Sequence, residues 1–121
     1  MAAAAIAAVV VVGFALAGGT QGLGAHPWWA ANVGYIGAGI GAVVWGVLLA
    51  AGMRRRWLLL GALALLVVAG VMTTIGKTNF AASYAEDALA GRFWYFGWIP
   101  LMASGFGVIA SLASGILRRL R

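Results

Sequence analysis

The chain has 121 residues, of which 64% are hydrophobic and only 8% are charged, and its formal net charge is +6. A soluble domain has about 25% charged residues, so this chain has too few charges to cover a surface that faces water. The composition excludes an ordinary soluble domain and predicts an all-α integral membrane protein. Cysteine is absent, which excludes disulfides, a thiol nucleophile and thiolate metal sites.

The first predicted membrane segment covers about residues 2–18 and reads AAAAIAAVVVVGFALAG. It is the shortest of four such segments, and a secretory signal is also a short apolar run. A signal, however, begins with a positively charged region, and this segment contains neither lysine nor arginine. We therefore expect it to be retained as a transmembrane helix.

The second and third segments cover about residues 29–53 and 57–76, and Arg54, Arg55 and Arg56 lie between them. Three arginines at the bilayer centre would cost on the order of 8–10 kcal/mol, while each neighbouring leucine recovers only about 0.5 kcal/mol. The arginines must therefore lie in a turn at the membrane surface. A turn this short predicts that the second and third segments form an antiparallel hairpin.

The fourth segment covers about residues 93–117, and the stretch before it, KTNFAASYAEDALAGR, has the most soluble character. Phe80, Tyr84 and Ala88 recur there at a spacing of four, which fits a short helix on the membrane surface. A solvated connector fits the stretch equally well. The four segments together predict a single domain, residues 1–121, that forms an up-down-up-down four-helix transmembrane bundle.

The basic residues predict the orientation of this bundle, because short cytoplasmic loops carry an excess of lysine and arginine. Six of the eight basic residues would lie on one side: Arg54, Arg55, Arg56, Arg118, Arg119 and Arg121. On the other side, Glu86 and Asp87 offset Lys77 and Arg92. Both termini are expected in the cytoplasm, in a cytoplasmic (inner) or plasma membrane, with the six arginines binding anionic lipid headgroups.

The tryptophans lie near the ends of the predicted segments. Trp28 and Trp29 open the second segment, Trp57 opens the third, and Trp94 and Trp98 lie early in the fourth. Tryptophan prefers the headgroup level at both membrane surfaces. These five side chains are therefore predicted to be interfacial anchors.

Small residues form stripes on the second and fourth segments. Helices associate in a membrane through close packing at such residues. The predicted helix-packing residues are Gly34, Gly37, Gly41, Ser104, Gly107, Ser111 and Gly115. The sequence leaves open whether the packing partner is a helix of the same chain or of another subunit.

His26 is the only histidine, and it lies beside Trp28 and Trp29. As a metal or haem ligand it would need either a second ligand from another chain or a site with one protein ligand. The competing interpretation is a residue in an interfacial turn. We keep His26 as the one candidate for binding a cofactor such as a pigment or haem, although the sequence requires no cofactor and predicts no metal site.

The remaining ionisable residues do not suggest catalysis. Glu86 and Asp87 are adjacent, so on a helix they would point about 100° apart, which does not suit an acid and base pair. The inner parts of the four segments contain no Asp, Glu, Lys, Arg or His, which disfavours an ion-coupled carrier. Known catalytic motifs are also missing, and we expect no enzyme activity from this chain.

The leading hypothesis is a structural, accessory subunit of a larger membrane complex, with a bioenergetic complex as one setting, that packs through its small-residue faces. One alternative is a homo-oligomeric channel or passive carrier of a small solute. Another is a self-assembling virion or filament protein. The expected partners are the lipid bilayer and either other membrane subunits or copies of this chain, while nucleic acid is disfavoured because the basic clusters flank membrane segments.

Overall fold

The computed structural model describes all 121 residues and contains helices but no strand. The helices are α1 (Ala2–Leu16), α2 (Gly19–Gly22), α3 (Ala30–Ala50), α4 (Arg55–Ala82) and α5 (Ala88–Arg119). By length and composition, α3, α4 and α5 can each cross a membrane. The all-α prediction is therefore confirmed, and the three helices of spanning length support an integral membrane protein.

The first helix is shorter than the segment predicted for it. α1 has 15 residues and measures about 22 Å at 1.5 Å per residue, less than the roughly 30 Å of a bilayer's hydrocarbon core. It ends at Leu16 because Gly18 adopts a φ of 86°, a left-handed conformation that glycine adopts without steric cost. The chain then makes the single turn of α2 before it reaches α3.

The longest helix, α5, lies at the centre of the molecule and contacts α1, α3 and α4. Its Phe106 side chain is completely buried. Helices α3 and α5 run parallel, because Gly37 lies against Met102 and Trp45 bonds to Ser111.

Helices α4 and α5 run antiparallel. Gly76 near the end of α4 lies against Trp94 near the start of α5, and Ala62 near the start of α4 lies against Gly107. Since α3 is parallel to α5, α3 and α4 run in opposite directions, as the arginine turn predicts. They do not form a packed hairpin, however, because both helices pack their small residues against α5 and barely contact each other.

The arginine turn begins with a glycine cap on α3. Gly52 has a φ of 89°, and the amide groups of Gly52 and Met53 donate hydrogen bonds to the carbonyls of Leu49 and Leu48, both at 3.0 Å. This pattern is the Schellman motif, which satisfies the last carbonyls of a helix. α4 begins only three residues after Gly52, so two of the three arginines belong to its first turn.

The connector between the last two helices is shorter than the sequence suggested. Residues 77–82 extend α4 and residues 88–92 open α5, because neither glycine nor proline interrupts the helix between residues 77 and 82. A separate surface helix is therefore not formed. In the remaining turn, the Ser83 hydroxyl accepts a hydrogen bond from the Asp87 amide at 2.9 Å, and Asp87 caps α5 by accepting one from the Ala90 amide at 3.0 Å.

Replacing Gly76 with alanine is expected to lower the free energy of unfolding by about 1–3 kcal/mol, the usual cost of overpacking. A Cβ atom there would lie 2.5 Å from the backbone nitrogen of Trp94 and 2.7 Å from the carbonyl oxygen of Ala90, so the backbones of α4 and α5 would have to separate. Unfolding of the purified protein in detergent, followed by circular dichroism, measures the change.

Gly70→Ala is the matched control on the same helix. A Cβ atom at Gly70 meets only the Leu101 side chain, at an ordinary 3.8 Å, and alanine is intrinsically the better helix former by roughly 0.5–1 kcal/mol. Gly70→Ala should therefore leave the stability unchanged or raise it slightly. Equal effects of the two substitutions would contradict a close contact between α4 and α5.

Candidate functional site

An aromatic cluster occupies the end of the molecule where the loop before α3 meets the turn between α4 and α5. Its members are His26, Trp28, Trp29, Phe80, Trp94 and Tyr95. The Trp29 ring lies edge-on to the rings of Trp94 and Tyr95, with centroids 5.4 and 5.0 Å apart. Such geometry is favourable for aromatic pairs beyond the area that they bury, so the cluster holds the loop against α5.

Hydrogen bonds add to the aromatic contacts. The Trp94 indole Nε1 donates to the Gly24 carbonyl at 3.0 Å, and the Thr73 hydroxyl donates to the Trp94 carbonyl at 2.6 Å. The Lys77 ammonium lies 5.9 Å from the centre of the Trp94 ring, within the range of a cation–π interaction. Trp94 therefore connects α4, α5 and the loop before α3.

The local geometry of His26 bears on the prediction that it binds a cofactor. Its Nδ1 atom accepts a hydrogen bond from the Trp28 amide at 3.2 Å, so the neutral imidazole carries its proton on Nε2. A metal or haem iron needs an unprotonated nitrogen. The cluster lines an open cavity of about 340 Å³ that also reaches Arg92, and His26 does not belong to a group of three or more histidine, cysteine or acidic side chains.

Six of the seven arginines gather at the opposite end of the molecule. α4 starts there and α5 ends there, so the two basic clusters predicted from the sequence lie together. A cavity of about 360 Å³, which we call the arginine pocket, is lined by Leu49, Met53, Arg54, Arg55, Arg56 and Arg118. The Arg56 guanidinium also lies over the Trp57 ring, 5.2 Å from its centre. Arg119 and Arg121 are exposed beyond this pocket.

Most of the predicted packing residues contact another helix of the same chain. On α3, Gly34 lies against Ala15 of α1, whereas Gly37 and Gly41 lie against α5. A Cβ atom at Gly41 would lie 2.8 Å from the Ala103 oxygen. The helix partner that the sequence left open is, for these three glycines, part of the same chain.

The predicted packing residues of α5 differ in what they contact. A Cβ atom at Gly107 would lie 3.2 Å from Ala62 of α4, and one at Gly115 would lie 3.3 Å from the Arg55 guanidinium. Ser111 accepts a hydrogen bond from the Trp45 indole at 3.2 Å. The Ser104 hydroxyl instead bonds to the carbonyl of Leu101 in its own helix, at 3.0 Å.

The predicted tryptophan anchors differ in exposure. Trp28 and Trp57 are 88% and 56% exposed, so their rings are free to contact headgroups. Trp29 and Trp94 are half-buried in the aromatic cluster. Trp98 is only 3% exposed and therefore packs within the bundle instead of reaching a headgroup.

A lateral groove opens between α3 and α4, and α5 forms its floor. It has a volume of about 630 Å³, and the residues along it include Val44, Leu48, Trp57, Gly61, Leu65 and Ala103. The groove exists because α3 and α4 barely contact each other. Its size is within the roughly 300–1,000 Å³ of ligand sites in proteins.

Two structural pairs were missed by sequence reasoning. Trp45 follows Gly37 and Gly41 at the same spacing of four, and this periodicity would have placed it on the face that meets α5. Thr20 is fully buried and donates a hydrogen bond to the Ala30 carbonyl at 2.6 Å. No sequence signal marks this second contact, because it depends on the path of the loop before α3.

No family model matches the chain, and neither a curated protein nor a solved structure is significantly similar to it.

Replacing Trp94 with phenylalanine is expected to loosen the loop before α3, because it removes the bond to Gly24. The loss should be about 1 kcal/mol of unfolding free energy, and proteolysis within residues 17–29 should become faster. Trp28→Phe is the control, since Trp28 is largely exposed and should change stability by less than about 0.5 kcal/mol. Equal sensitivity of the two variants to proteolysis would contradict this role of Trp94.

Proposed function

We propose that this chain is a structural subunit of a larger membrane complex, and that the back of α3 is its docking face. Asn32, Gly39 and Gly46 recur there at intervals of seven residues, and residues seven apart on a helix lie within about 20° of each other. A Cβ atom at Gly39 or Gly46 would meet nothing within 4 Å. This uncovered small-residue face is the observation that carries the proposal.

The position of this face favours a partner from another chain. It lies on the opposite side of α3 from Gly37 and Gly41, which already contact α5. Glycine lets two helix backbones approach closely, and asparagine can form a hydrogen bond between helices. Lipid makes use of neither property, whereas a second transmembrane helix makes use of both.

The buried hydroxyl groups support a structural role over a channel. Thr20, Thr73 and Ser104 each donate to a backbone carbonyl of this chain, and Ser111 accepts from Trp45. The buried side-chain nitrogen and oxygen atoms all have partners. These groups are therefore engaged in packing and offer no free polar path to a solute. The proposal likewise assigns no catalytic step to this chain.

We further propose that α1 is a fourth span and that both termini lie in the cytoplasm. The end of α1 contacts the start of α3 through Ala15 and Gly34, and α1 also packs along α5. A span of about 22 Å is tolerated if the bilayer thins locally. The gathering of six arginines at one end supports the orientation, because short basic segments remain cytoplasmic.

Purification of the tagged chain from its native membrane in a mild detergent tests the structural role. Larger membrane subunits are expected to co-purify. Gly39→Leu should reduce their recovery about fivefold, because a bulky side chain removes roughly 1 kcal/mol of close helix packing. Mass spectrometry of the eluate measures the recovery.

Gly61→Leu is the control for this experiment, because Gly61 lies in the lateral groove and its Cβ position is equally open. Its recovery of subunits should equal that of the unmodified chain. A symmetric homomer without other subunits would contradict the proposal and favour the channel or the self-assembling protein. Equal losses of subunits from Gly39→Leu and Gly61→Leu would contradict the docking face on α3.

Single cysteines test the proposed topology, since the chain has none of its own. Ala2, Glu86 and Leu120 are exposed and are each replaced by cysteine. A membrane-impermeant maleimide should label Glu86→Cys in intact cells, but Ala2→Cys and Leu120→Cys only after permeabilisation. Labelling of Leu120→Cys in intact cells would contradict the orientation. If Ala2→Cys and Glu86→Cys are both labelled in intact cells and Leu120→Cys is not, α1 does not span the membrane.

A further inference from the structure

We infer that the lateral groove and the arginine pocket form one binding site for an anionic phospholipid. One acyl chain would lie between α3 and α4, with α5 behind it. The lipid phosphate would lie among Arg54, Arg55 and Arg118. This inference concerns the isolated chain and does not depend on the docking face proposed for α3.

The two cavities adjoin each other. Met53 lines both the apolar groove and the arginine pocket. A phospholipid has the same arrangement, with a charged phosphate joined directly to apolar chains. A free anion would use only the pocket, whereas an uncharged apolar molecule would use only the groove.

The length of the groove matches one leaflet of a bilayer. Its walls extend from Ile40 to Leu48 on α3, from Trp57 to Leu65 on α4 and from Ile99 to Gly107 on α5. Eight helical steps measure about 12 Å, close to half of the roughly 30 Å hydrocarbon core. The groove therefore begins at the arginine end and stops near the middle of the bilayer.

This depth favours an acyl chain over a transmembrane helix of another subunit. A spanning helix would need a cleft along the full hydrocarbon thickness of about 30 Å. The residues that line the groove are mostly apolar, and Gly61 leaves room along it because nothing lies within 4 Å of its Cβ position. An acyl chain fills such a space without polar partners.

Charge makes the pocket favourable for a phosphate. Four arginines line it, while the two acidic side chains of the protein, Glu86 and Asp87, lie in the turn at the other end. Arg55 and Arg56 also lie in the first turn of α4, where the helix dipole already disfavours positive charge. A phosphate would offset the repulsion among the arginines and the unfavourable interaction with the helix dipole. Arginine binds phosphate through two parallel hydrogen bonds.

Native mass spectrometry of the purified full-length protein in detergent tests the inference. The probes are dioleoyl phosphatidylglycerol, dioleoyl phosphatidylcholine and glycerol phosphate. One phosphatidylglycerol should bind at least about tenfold more tightly than phosphatidylcholine, because the zwitterionic headgroup carries no net charge. Glycerol phosphate, which has no acyl chain, should not remain bound.

Paired variants separate the groove from the pocket. Gly61→Leu should fill the groove and weaken phosphatidylglycerol binding at least about tenfold, since several methylenes would lose their contacts. Gly39→Leu is its control and should bind normally, because Gly39 lies outside the groove. Neither change should disturb the fold, since both Cβ positions are open.

The second pair removes equal charge at two places. Arg54→Gln with Arg118→Gln should weaken binding about 25-fold, which corresponds to a factor of about five for each arginine near an anionic lipid. Arg119→Gln with Arg121→Gln removes charge outside the pocket and should weaken binding less than about threefold.

Equal losses from the two arginine pairs would show that the surface attracts lipid without a defined site, and would overturn the inference. Equal binding of phosphatidylcholine would overturn it too, as would unchanged binding to Gly61→Leu. Failure of the proposed docking face would leave these results unaffected, because Gly39→Leu alters subunit recovery and Gly61→Leu alters lipid binding.

Discussion

Close approach of helix backbones at glycine is the constraint on which this structure depends. Burial of apolar surface gives little stability in a membrane, because lipid tails are as apolar as leucine. What remains is contact at short range, and Gly37, Gly41, Gly76 and Gly97 provide it where α3 and α4 meet α5. A side chain at any of these positions would separate the backbones and weaken the attraction along the whole contact.

The two ends of the molecule hold the helices in different ways. At the aromatic end, Trp94 and its neighbours fix the loop before α3 through ring contacts and hydrogen bonds. At the arginine end, like charges lie close together and repel, so that end is stable only where lipid phosphate or water surrounds the guanidinium groups. The sequence places six of its eight basic residues at the arginine end.

Part of this arrangement could be predicted from residue types alone. Arg54, Arg55 and Arg56 cannot enter hydrocarbon, so the break between α3 and α4 is visible in the sequence. The stripe of Gly34, Gly37 and Gly41 likewise marks a packing face. The choice of partner could not be predicted, because spacing shows which residues share a face but not which helix covers it.

The candidate sites likewise have features that the sequence predicts and others that depend on the three-dimensional arrangement. The single His26 is conspicuous in the sequence, yet the tautomer that limits its chemistry depends on a backbone amide two residues away. Trp98 resembles an interfacial anchor by its position near a segment end and is nevertheless buried. The lateral groove has no sequence signature at all, because it results from the absence of contact between two helices that are neighbours in the chain.

The central position of α5 has a consequence for biosynthesis. A ribosome makes α5 after α1, α3 and α4, so these three helices exist before the helix that joins them. Until then α4 has almost no partner, since it barely contacts α3. Helices α1 and α3 contact each other and can pack before α5 is made, whereas α4 joins the bundle only through α5. A nascent chain that stalls before residue 88 would leave α4 without the helix against which it packs.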